Sequence, residues 1–221
     1  MSAVTLPERP EGFRRVTQLL ERLGHPHAPV FLDAAVRTSQ EAADALGIAV
    51  GQIAKSVVFR RIDDDAAVLV ITSGDKRVDE KKVAALVGGK LGRADADFVK
   101  ARTGFSIGGV APLGHATPLV TLIDRELFRF AEIWAAAGHP NGVFQLSPQQ
   151  LESLVGAPVA DVVKHEEPVP SPCTSVCRMN ADTGLCEGCF RTLDEIAAWS
   201  RMEEHEKRAV WHRLDQRKAS A

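Results

Sequence analysis

The stretch AKSVVFRRIDDDAAVLVIT, residues 54–72, decides the fold class of this sequence. Two runs rich in β-branched residues, 54–61 and 66–72, stand on either side of three aspartates at positions 63, 64 and 65. β-Branched residues favour extended backbone, and polar residues between two such runs are typical of a turn. The stretch therefore predicts a β-hairpin.

Helix and strand signals alternate around this hairpin over residues 10–165. Upstream, apolar residues at 13, 16, 20 and 23 recur at helical spacing and stop at Gly24, while Thr38 and Glu41 form a capping box that opens a second helix ending at Gly47. Downstream, the patterns predict helices over 79–87, 128–137 and 148–155, and strands over 119–123 and 143–146. Together they predict a mixed α+β domain.

The composition is that of an ordinary soluble chain: 221 residues, 45% hydrophobic and 25% charged, with a net charge of −2. These values exclude disorder, collagen and coiled coil for the whole chain. No apolar run approaches the roughly 20 residues of a membrane span, and residues 1–8 show no basic-then-apolar signal segment. We therefore expect a cytoplasmic protein with no membrane partner.

Positive charge is concentrated in residues 76–102, which hold eight lysines and arginines against four aspartates and glutamates. Such a local excess is typical of a nucleic-acid contact or of a solvated helix face. The charge pattern alone leaves both interpretations open.

The cysteines mark a domain boundary. All four fall between 173 and 189, and the 172 residues before them contain none. Residues 166–172 hold three prolines, which favour extended backbone and indicate a linker. We predict a first domain over 1–165, a proline-rich linker over 166–172 and a four-cysteine domain over 173–221.

A glycine-rich loop spans residues 103–115, with four glycines and Pro112. Glycines let a ligand approach bare backbone N–H groups, so the loop suits a carbonyl or phosphate oxygen; a tight connection without a ligand is the alternative. The loop has neither the ending of a Walker motif nor the placement of a dinucleotide fingerprint.

Lys55 stands at the start of an otherwise apolar strand. A charge there is costly unless it meets a partner or a cleft, which makes Lys55 a candidate functional residue. A lysine that protects an edge strand from aggregation is the alternative.

These motifs together resemble the YbaK/EbsC family of aminoacyl-tRNA deacylases, free-standing relatives of the editing domain of bacterial prolyl-tRNA synthetase. The resemblance covers about residues 10–163. It is carried in order by residues 37–38, 42–47, 52–59, 74–77, 103–105, 108–114 and 123–124.

The resemblance implies a compact α+β fold, with helices around a mostly antiparallel, barrel-like sheet. It implies hydrolysis of mischarged aminoacyl-tRNA, with the acceptor end of a tRNA, typically proline tRNA, as partner and prolyl-tRNA synthetase as a further one. No cofactor is expected for catalysis. The catalytic residues it implies are Lys55, Gly108, Gly109, Pro112 and Gly114, and the substrate-binding residues are Thr38, Ser56, Asp124 and His139.

The chemistry fits an ester substrate attacked by water. Backbone donors of residues 108–114 would stabilise the oxyanion, Lys55 would hold the terminal adenosine or its phosphate, and the 76–102 segment would hold the acceptor stem. No conventional nucleophile is evident, since Ser56 and Ser106 have no visible base.

The sequence leaves open which amino acid is removed: alanine, cysteine or another small residue. For His139, the alternative to a substrate-binding role is an exposed loop position. The opposing hypothesis for the whole domain is an inactive module that binds tRNA or a synthetase.

The four-cysteine tail has metal-ligand spacing. Cys173 and Cys177, then Cys186 and Cys189, would place four thiolates around one structural zinc ion or an iron–sulfur cluster; disulfides are the less favoured alternative in a cytoplasmic chain. Capping boxes at 192–195 and 200–203 predict two helices, with Trp199 and Trp211 in their core. The tail resembles a bacterial domain of unknown function described as a predicted iron–sulfur protein.

Overall fold

The computed structural model describes residues 9–33, 36, 38–165 and 167–219. Arg37, Glu166 and the first eight residues, on which parts of the sequence predictions fall, lie outside this range. The chain divides into two compact units, Met1–Lys164 and His165–Ala221. Among the described helices, none has the length and apolar character needed to cross a bilayer.

The first unit is built on one mixed sheet with helices around it, which confirms the α+β class. Its described strands are β1 (Val30–Phe31), β2 (Ile53–Arg61), β3 (Ala67–Ser73), β4 (Leu91–Arg93), β5 (Val120–Asp124), β6 (Ile133–Ala136), β7 (Gly142–Leu146) and β8 (Val159–Ala160). They follow the order β1-β7-β6-β2-β3-β5-β8, and β4 pairs with β2 outside this path. Its α-helices are α1 (Glu11–Arg22), α2 (Ser39–Leu46), α3 (Glu80–Val87), α4 (Ala96–Thr103) and α5 (Pro148–Val155), with 3-10 helices at Val50–Gln52 and Arg125–Arg129.

The predicted hairpin forms the centre of the sheet. β2 and β3 pair antiparallel from Ala54 opposite Ser73 to Arg60 opposite Ala67. β2 also pairs with β4 and β6, so the interpretation of Lys55 as an edge-strand lysine is wrong. Four of the seven described strand pairings are antiparallel; β2–β6, β3–β5 and β5–β8 are parallel.

The two faces of the hairpin pack against different cores, because successive side chains of a strand point to opposite faces. Leu69 and Ile71 pack in the larger core with the apolar stripe of α1, whereas Val68 and Val70 pack with α3. The α1 stripe is shorter than predicted: Leu23 is 51% exposed because the helix ends at Arg22.

Local signals placed most helices correctly. The capping box of Thr38 and Glu41 is present, and α2 ends on Gly47 in the left-handed conformation, where a residue without Cβ costs least. The helices predicted over 79–87 and 148–155 are α3, which begins at Glu80, and α5, with Asp79 and Ser147 as their N-caps.

The predicted helix over 128–137 is wrong. The 3-10 helix Arg125–Arg129 occupies its first residues, and the second part is β6, which pairs antiparallel with β7. Ile133 and Ala135 are buried whereas their neighbours are half-buried, and this alternation is the period of a strand. A four-residue apolar run is too short for its period to separate helix from strand.

The second unit holds α6 (Leu193–Ala198), a 3-10 helix at Trp199–Arg201 and α7 (Glu204–Ala219). The capping box at 192–195 is confirmed, but the predicted one at 200–203 is wrong because Ser200 lies inside the 3-10 helix. The Glu203 N–H instead donates to the Glu206 carboxylate at 2.8 Å, one residue before α7 begins. Val210 and Leu214 of α7 are fully buried.

A buried ion-pair cluster ties α6 to α7. Glu195 is only 8% exposed, and its carboxylate accepts bonds from Arg213 (3.0 Å) and Arg217 (2.7 Å). Burial opposes ionisation, but the Arg217, Thr192 and Arg213 donors outweigh it and lower the pKa of Glu195 to about 2. This carboxylate therefore stays charged through the ordinary pH range.

Candidate functional site

A cavity of about 180 Å³, here called the Lys55 cavity, opens where β2 and β6 meet α2 and the glycine-rich loop. Four sequence-predicted site residues line it: Thr38, Lys55, Ser56 and Gly108. Its walls are mostly apolar, because the other lining side chains include Val36, Ile53, Val110, Trp134 and Val143. A space of this size and character suits a small, largely apolar group.

Lys55 is held by backbone carbonyls. Its Nζ donates to the carbonyl oxygen of Lys76 at 2.7 Å and to that of Gly74 at 3.3 Å. Because an ammonium group has three N–H donors, one remains for a ligand. Burial lowers the pKa of Lys55, and the nearby charge of Asp75 opposes that change.

Ser56 has a hydroxyl that no described residue binds. Its Oγ is buried and forms no hydrogen bond with any residue in the described ranges. An unpaired buried hydroxyl costs about 1–3 kcal/mol, so such groups usually have a ligand or a water as partner. Ser56 is therefore suited to bind a polar group inside the Lys55 cavity.

The glycine-rich loop approaches the 138–142 loop backbone to backbone. Gly108 lies in the left-handed region at φ 88°. A Cβ on Gly109 would stand 2.6 Å from the His139 Cα, so only glycine fits. The Gly109 N–H donates to the Ser106 carbonyl at 3.0 Å and is not available to a substrate. Gly108 and Val110 both line the cavity, and within the described ranges their backbone N–H groups have no hydrogen-bond partner.

Two predicted catalytic residues lie elsewhere. Pro112 and Gly114 line a separate space of about 430 Å³ beside His115, not the Lys55 cavity. His115 bonds through Nε2 to the Ala111 carbonyl at 2.8 Å, and burial lowers its pKa. The loop therefore contributes its 108–110 part to the candidate site, while its later part turns away.

Asp124 and His139 do not line the Lys55 cavity either. Asp124 is fully buried and accepts a bond from the Thr72 hydroxyl at 2.6 Å, which gives it a structural place at the end of β5. His139 stacks on Phe31 with ring centroids 5.1 Å apart, and its Nδ1 accepts the Asn141 N–H at 3.1 Å. Burial lowers the pKa of His139. Its neighbour Pro140 is the residue that reaches the cavity wall.

The basic segment 76–102 is partly neutralised by carboxylates from outside it. Lys82 pairs with Asp161 at 2.7 Å and Arg102 with Asp65 at 2.6 Å, while the Lys76 ammonium lies 3.7 Å from Glu126. These pairs lower the local excess that was counted from the sequence.

Arg129, which lies beside the site, was not expected there from the sequence. Arg129 binds the Asp75 carboxylate in the turn that also supplies the carbonyls holding Lys55. Residues 74–77 carried part of the family resemblance, but Arg129 fell in a segment predicted to be helical. Only the fold brings it near Lys55.

No disulfide joins the four cysteines of the described second unit; Cys173 and Cys177 are exposed, and Cys186 and Cys189 are buried. The 186–191 segment is a tight turn, closed by bonds from the Cys186 N–H to Arg191 O (2.9 Å) and from the Phe190 N–H to Cys186 O (2.8 Å). The charge of Cys173 raises the pKa of Cys177, so these thiols lie near each other. In the parts of the chain that the structure describes, no three His, Cys, Asp or Glu side chains form a ready metal site.

Comparison with known proteins assigns the first unit. Residues 33–154, more than half of the chain, match the family model of the aminoacyl-tRNA editing domain. The chain belongs to this editing-domain family. The resemblance predicted from the sequence is thereby confirmed, and the Lys55 cavity lies within the editing domain. Residues 171–218 match a second family, described as a protein of unknown function (DUF1289).

Individual relatives agree with this assignment. The editing domain is similar to a solved structure of a proposed trans-editing enzyme for prolyl tRNA synthetase, with 43% identity and a TM-score of 0.67 over 72% of this chain and 100% of that one. The uncharacterized protein YwhH of Bacillus subtilis is 34% identical over 53% of this chain and 74% of its own length. EbsC of Enterococcus faecalis, a proposed Cys-tRNA(Pro)/Cys-tRNA(Cys) deacylase, is 26% identical over 58% of this chain and 79% of its own.

Proposed function

We propose that the first unit is an aminoacyl-tRNA deacylase that acts in trans on proline tRNA carrying a small wrong amino acid, such as alanine or cysteine. The observation that carries the proposal is the shared position of Lys55, Ser56 and Gly108 around one cavity inside an editing-domain fold. The relatives described for prolyl-tRNA editing support proline tRNA as the substrate and prolyl-tRNA synthetase as a partner.

The cavity supports a water-attack mechanism. Lys55 keeps one free N–H, which suits a phosphate or hydroxyl of the terminal adenosine. The backbone N–H groups of Gly108 and Val110, which have no partner in the described part of the chain, suit the oxyanion that develops when water attacks the ester carbonyl. Attack by a water molecule, or by a group of the substrate, needs no protein nucleophile.

The size of the cavity supports a small amino acid. About 180 Å³ leaves little room beyond a short side chain and its ester carbonyl. One methylene in an apolar pocket changes binding by only about 1–3 kcal/mol, so we expect a graded preference among small residues.

The test is loss of ester from proline tRNA charged separately with alanine, cysteine, serine or proline. We expect the protein to accelerate deacylation of at least one mischarged form and to leave the rate for prolyl-tRNA unchanged. Lys55→Ala should remove this acceleration while its circular dichroism spectrum stays that of the wild type. Arg61→Gln, which breaks an Arg–Asp pair at the far end of β2, is the matched control. No acceleration with any charged tRNA, combined with tight tRNA binding, would establish the inactive binding module instead.

For the second unit we propose a structural metal centre on Cys173, Cys177, Cys186 and Cys189. Four thiolates complete a tetrahedral zinc shell or hold an iron–sulfur cluster, and neither leaves a position for a reacting water. Two N–H donors support this use of the sulfurs: the Ser175 backbone N–H donates to the Cys173 Sγ at 3.4 Å, and the Arg191 side chain donates through Nε to the Cys189 Sγ at 3.4 Å. The unit has few buried apolar side chains, and small domains of that kind often depend on a metal.

Metal content and visible absorption of anaerobically purified protein test this proposal. We expect close to one zinc per chain, or brown colour from a cluster, and loss of metal in a Cys186→Ser variant. A metal-free chain with four free thiols and an intact second unit would contradict it.

A further inference from the structure

The turn that follows β3, residues 74–76, controls the Lys55 side chain. We infer that Arg129 is a positioning residue for Lys55: it holds the Asp75 carboxylate, so that the Lys55 ammonium stays on two main-chain carbonyls and keeps one N–H for the substrate. The catalytic part of this inference rests on the deacylase function proposed above, whereas the control of Lys55 by Arg129 does not.

The geometry of the turn leaves the ammonium with neutral partners. Gly74 and Lys76 supply both of its carbonyls, at 3.3 and 2.7 Å, and Asp75 stands between them in the chain. The Asp75 carboxylate is adjacent in the chain to both carbonyls and would be a stronger partner for the Lys55 ammonium than they are. A bond between two charged groups is roughly twice as strong as a bond between neutral ones. Something must therefore hold the Asp75 carboxylate elsewhere.

Arg129 does so. Its Nη2 lies 2.6 Å from one Asp75 carboxylate oxygen and 2.5 Å from the other, and the Ser73 hydroxyl lies 2.7 Å from the first. The same guanidinium donates through Nη1 to Glu126 at 3.1 Å and stacks on the Phe130 ring. Arg129 is thus fixed on the 3-10 helix at Arg125–Arg129 and reaches across to the turn.

Two glycines allow this arrangement. A Cβ on Gly51 would stand 2.6 Å from the Arg129 Nη2, and a Cβ on Gly74 would overlap the Val50 carbonyl oxygen. The 3-10 helix Val50–Gln52 therefore packs closely against both the Arg129 guanidinium and the 74–76 turn.

Among the residues that the structure describes, three charges act on Lys55 besides its burial. Asp75 and Asp124 favour the protonated form and Arg77 disfavours it, with Asp75 the strongest of the three. Asp124 is fully buried, and its carboxylate accepts bonds from the Thr72 hydroxyl and from the N–H groups of Ser73 and Glu126. Asp75 is the carboxylate that a lost partner would release, and if Arg129 is removed it is free to pair with Lys55 and occupy the third N–H.

The experiment follows the titration of Lys55 directly. In protein labelled with ¹³C-lysine, the Cε signal of Lys55, identified by its absence in Lys55→Ala, is recorded against pH for four variants: Arg129→Gln, Asp75→Asn, their combination and the control Arg61→Gln. We expect the Lys55 midpoint to rise in Arg129→Gln, to fall in Asp75→Asn, to show no rise in the combination and to stay unchanged in the control. Deacylation by Arg129→Gln should fall at least 10-fold, mainly in kcat.

These outcomes separate the positioning role from general loosening of the fold. Loosening would hydrate Lys55 and raise its midpoint in both single variants and in the combination. A midpoint that does not move in Arg129→Gln, or that still rises when Asp75 is also replaced, would overturn the inference. Should Arg129→Gln fail to fold, the isosteric Asp75→Asn decides alone, since an unchanged or raised midpoint there contradicts it. If the titrations behave as expected but no tRNA is deacylated, the proposed function fails and the control of Lys55 stands.

Discussion

Replacement of Gly109 by alanine tests the contact between the glycine-rich loop and the 138–142 loop. The new Cβ would stand 2.6 Å from two backbone atoms of His139 and 2.8 Å from the Pro140 nitrogen, whereas ordinary contact begins at 3.4 Å. One of the two backbones must therefore move by about 0.8 Å. Both loops line the Lys55 cavity, through Gly108, Val110 and Pro140, so the movement changes the site itself.

The expected size of the effect follows from this displacement. Overpacking of a closely packed site costs about 1–3 kcal/mol of folding free energy. A misplacement of about 1 Å at a reacting centre lowers the rate on the order of 10²-fold. We therefore expect the free energy of unfolding of Gly109→Ala to fall by about 1–3 kcal/mol and deacylation of the best substrate to fall on the order of 10²-fold.

The assay pairs urea unfolding with turnover of the charged tRNA. Gly92→Ala is the control, because its Cβ would meet the flexible Ile62 side chain at 3.2 Å and the Arg60 carbonyl oxygen only at 3.7 Å, an ordinary contact, away from the cavity. Ser106→Ala is a second control, since Gly109 uses its carbonyl and not its exposed side chain. Near-normal turnover and stability of Gly109→Ala would refute the reasoning from backbone contact, and loss of turnover in Ser106→Ala would point to a covalent mechanism.

Three further predictions concern single groups. Ser56→Ala should leave the free energy of unfolding unchanged or higher, because the hydroxyl has no partner in the described chain. It should slow deacylation about 5-fold, which corresponds to one hydrogen bond of about 1 kcal/mol to the substrate. A clear loss of stability would contradict this, because it would mean that the hydroxyl has a partner within the protein. Deacylation corrected for buffer hydrolysis should fall as alkaline pH passes the lowered pKa of Lys55, because the protonated ammonium is the donor, so a rate that stays flat beyond pH 10.5 would contradict this role. The Glu195 carboxylate, with its pKa lowered to about 2 from 4.5, should contribute stability that is complete above about pH 4.5 and is lost as pH falls toward about 2. Tryptophan fluorescence of Trp134→Phe protein reports the acid unfolding of the second unit, and Glu195→Gln should remove the part of its pH dependence that this carboxylate contributes.

Local signals predicted much of the fold because each depends on neighbours in the chain. The hairpin required only β-branched runs and an aspartate turn, and the caps at Thr38 and Ser147 required only residues three positions apart. The strand β6 was mistaken for helix because what defines it is its pairing with β7 and β2, not its own composition.

The candidate site was predictable where a residue type is unusual for its local sequence and therefore calls for an explanation. Lys55 in an apolar strand needs a partner, and glycines in a loop allow close approach to the backbone. Asp124 shows the limit of sequence-based prediction. An aspartate at the end of a strand gives the same sequence pattern whether it faces a ligand or, as here, binds Thr72 in the interior. Pro112 and Gly114 show another, because composition marks a loop but not the direction in which it turns.

The pairing of β2 with β6 has a consequence for how the chain folds. Ile53 lies opposite Trp134, and the two are separated by about eighty residues of sequence. Contacts of such long range slow folding, since the entropy of closing the loop is lost before the contact forms. During synthesis, the hairpin of β2 and β3 emerges long before β6 and β7, so the walls of the Lys55 cavity meet only after most of the first unit has left the ribosome. A nascent chain stalled before Val143 would carry Lys55 without the space around it.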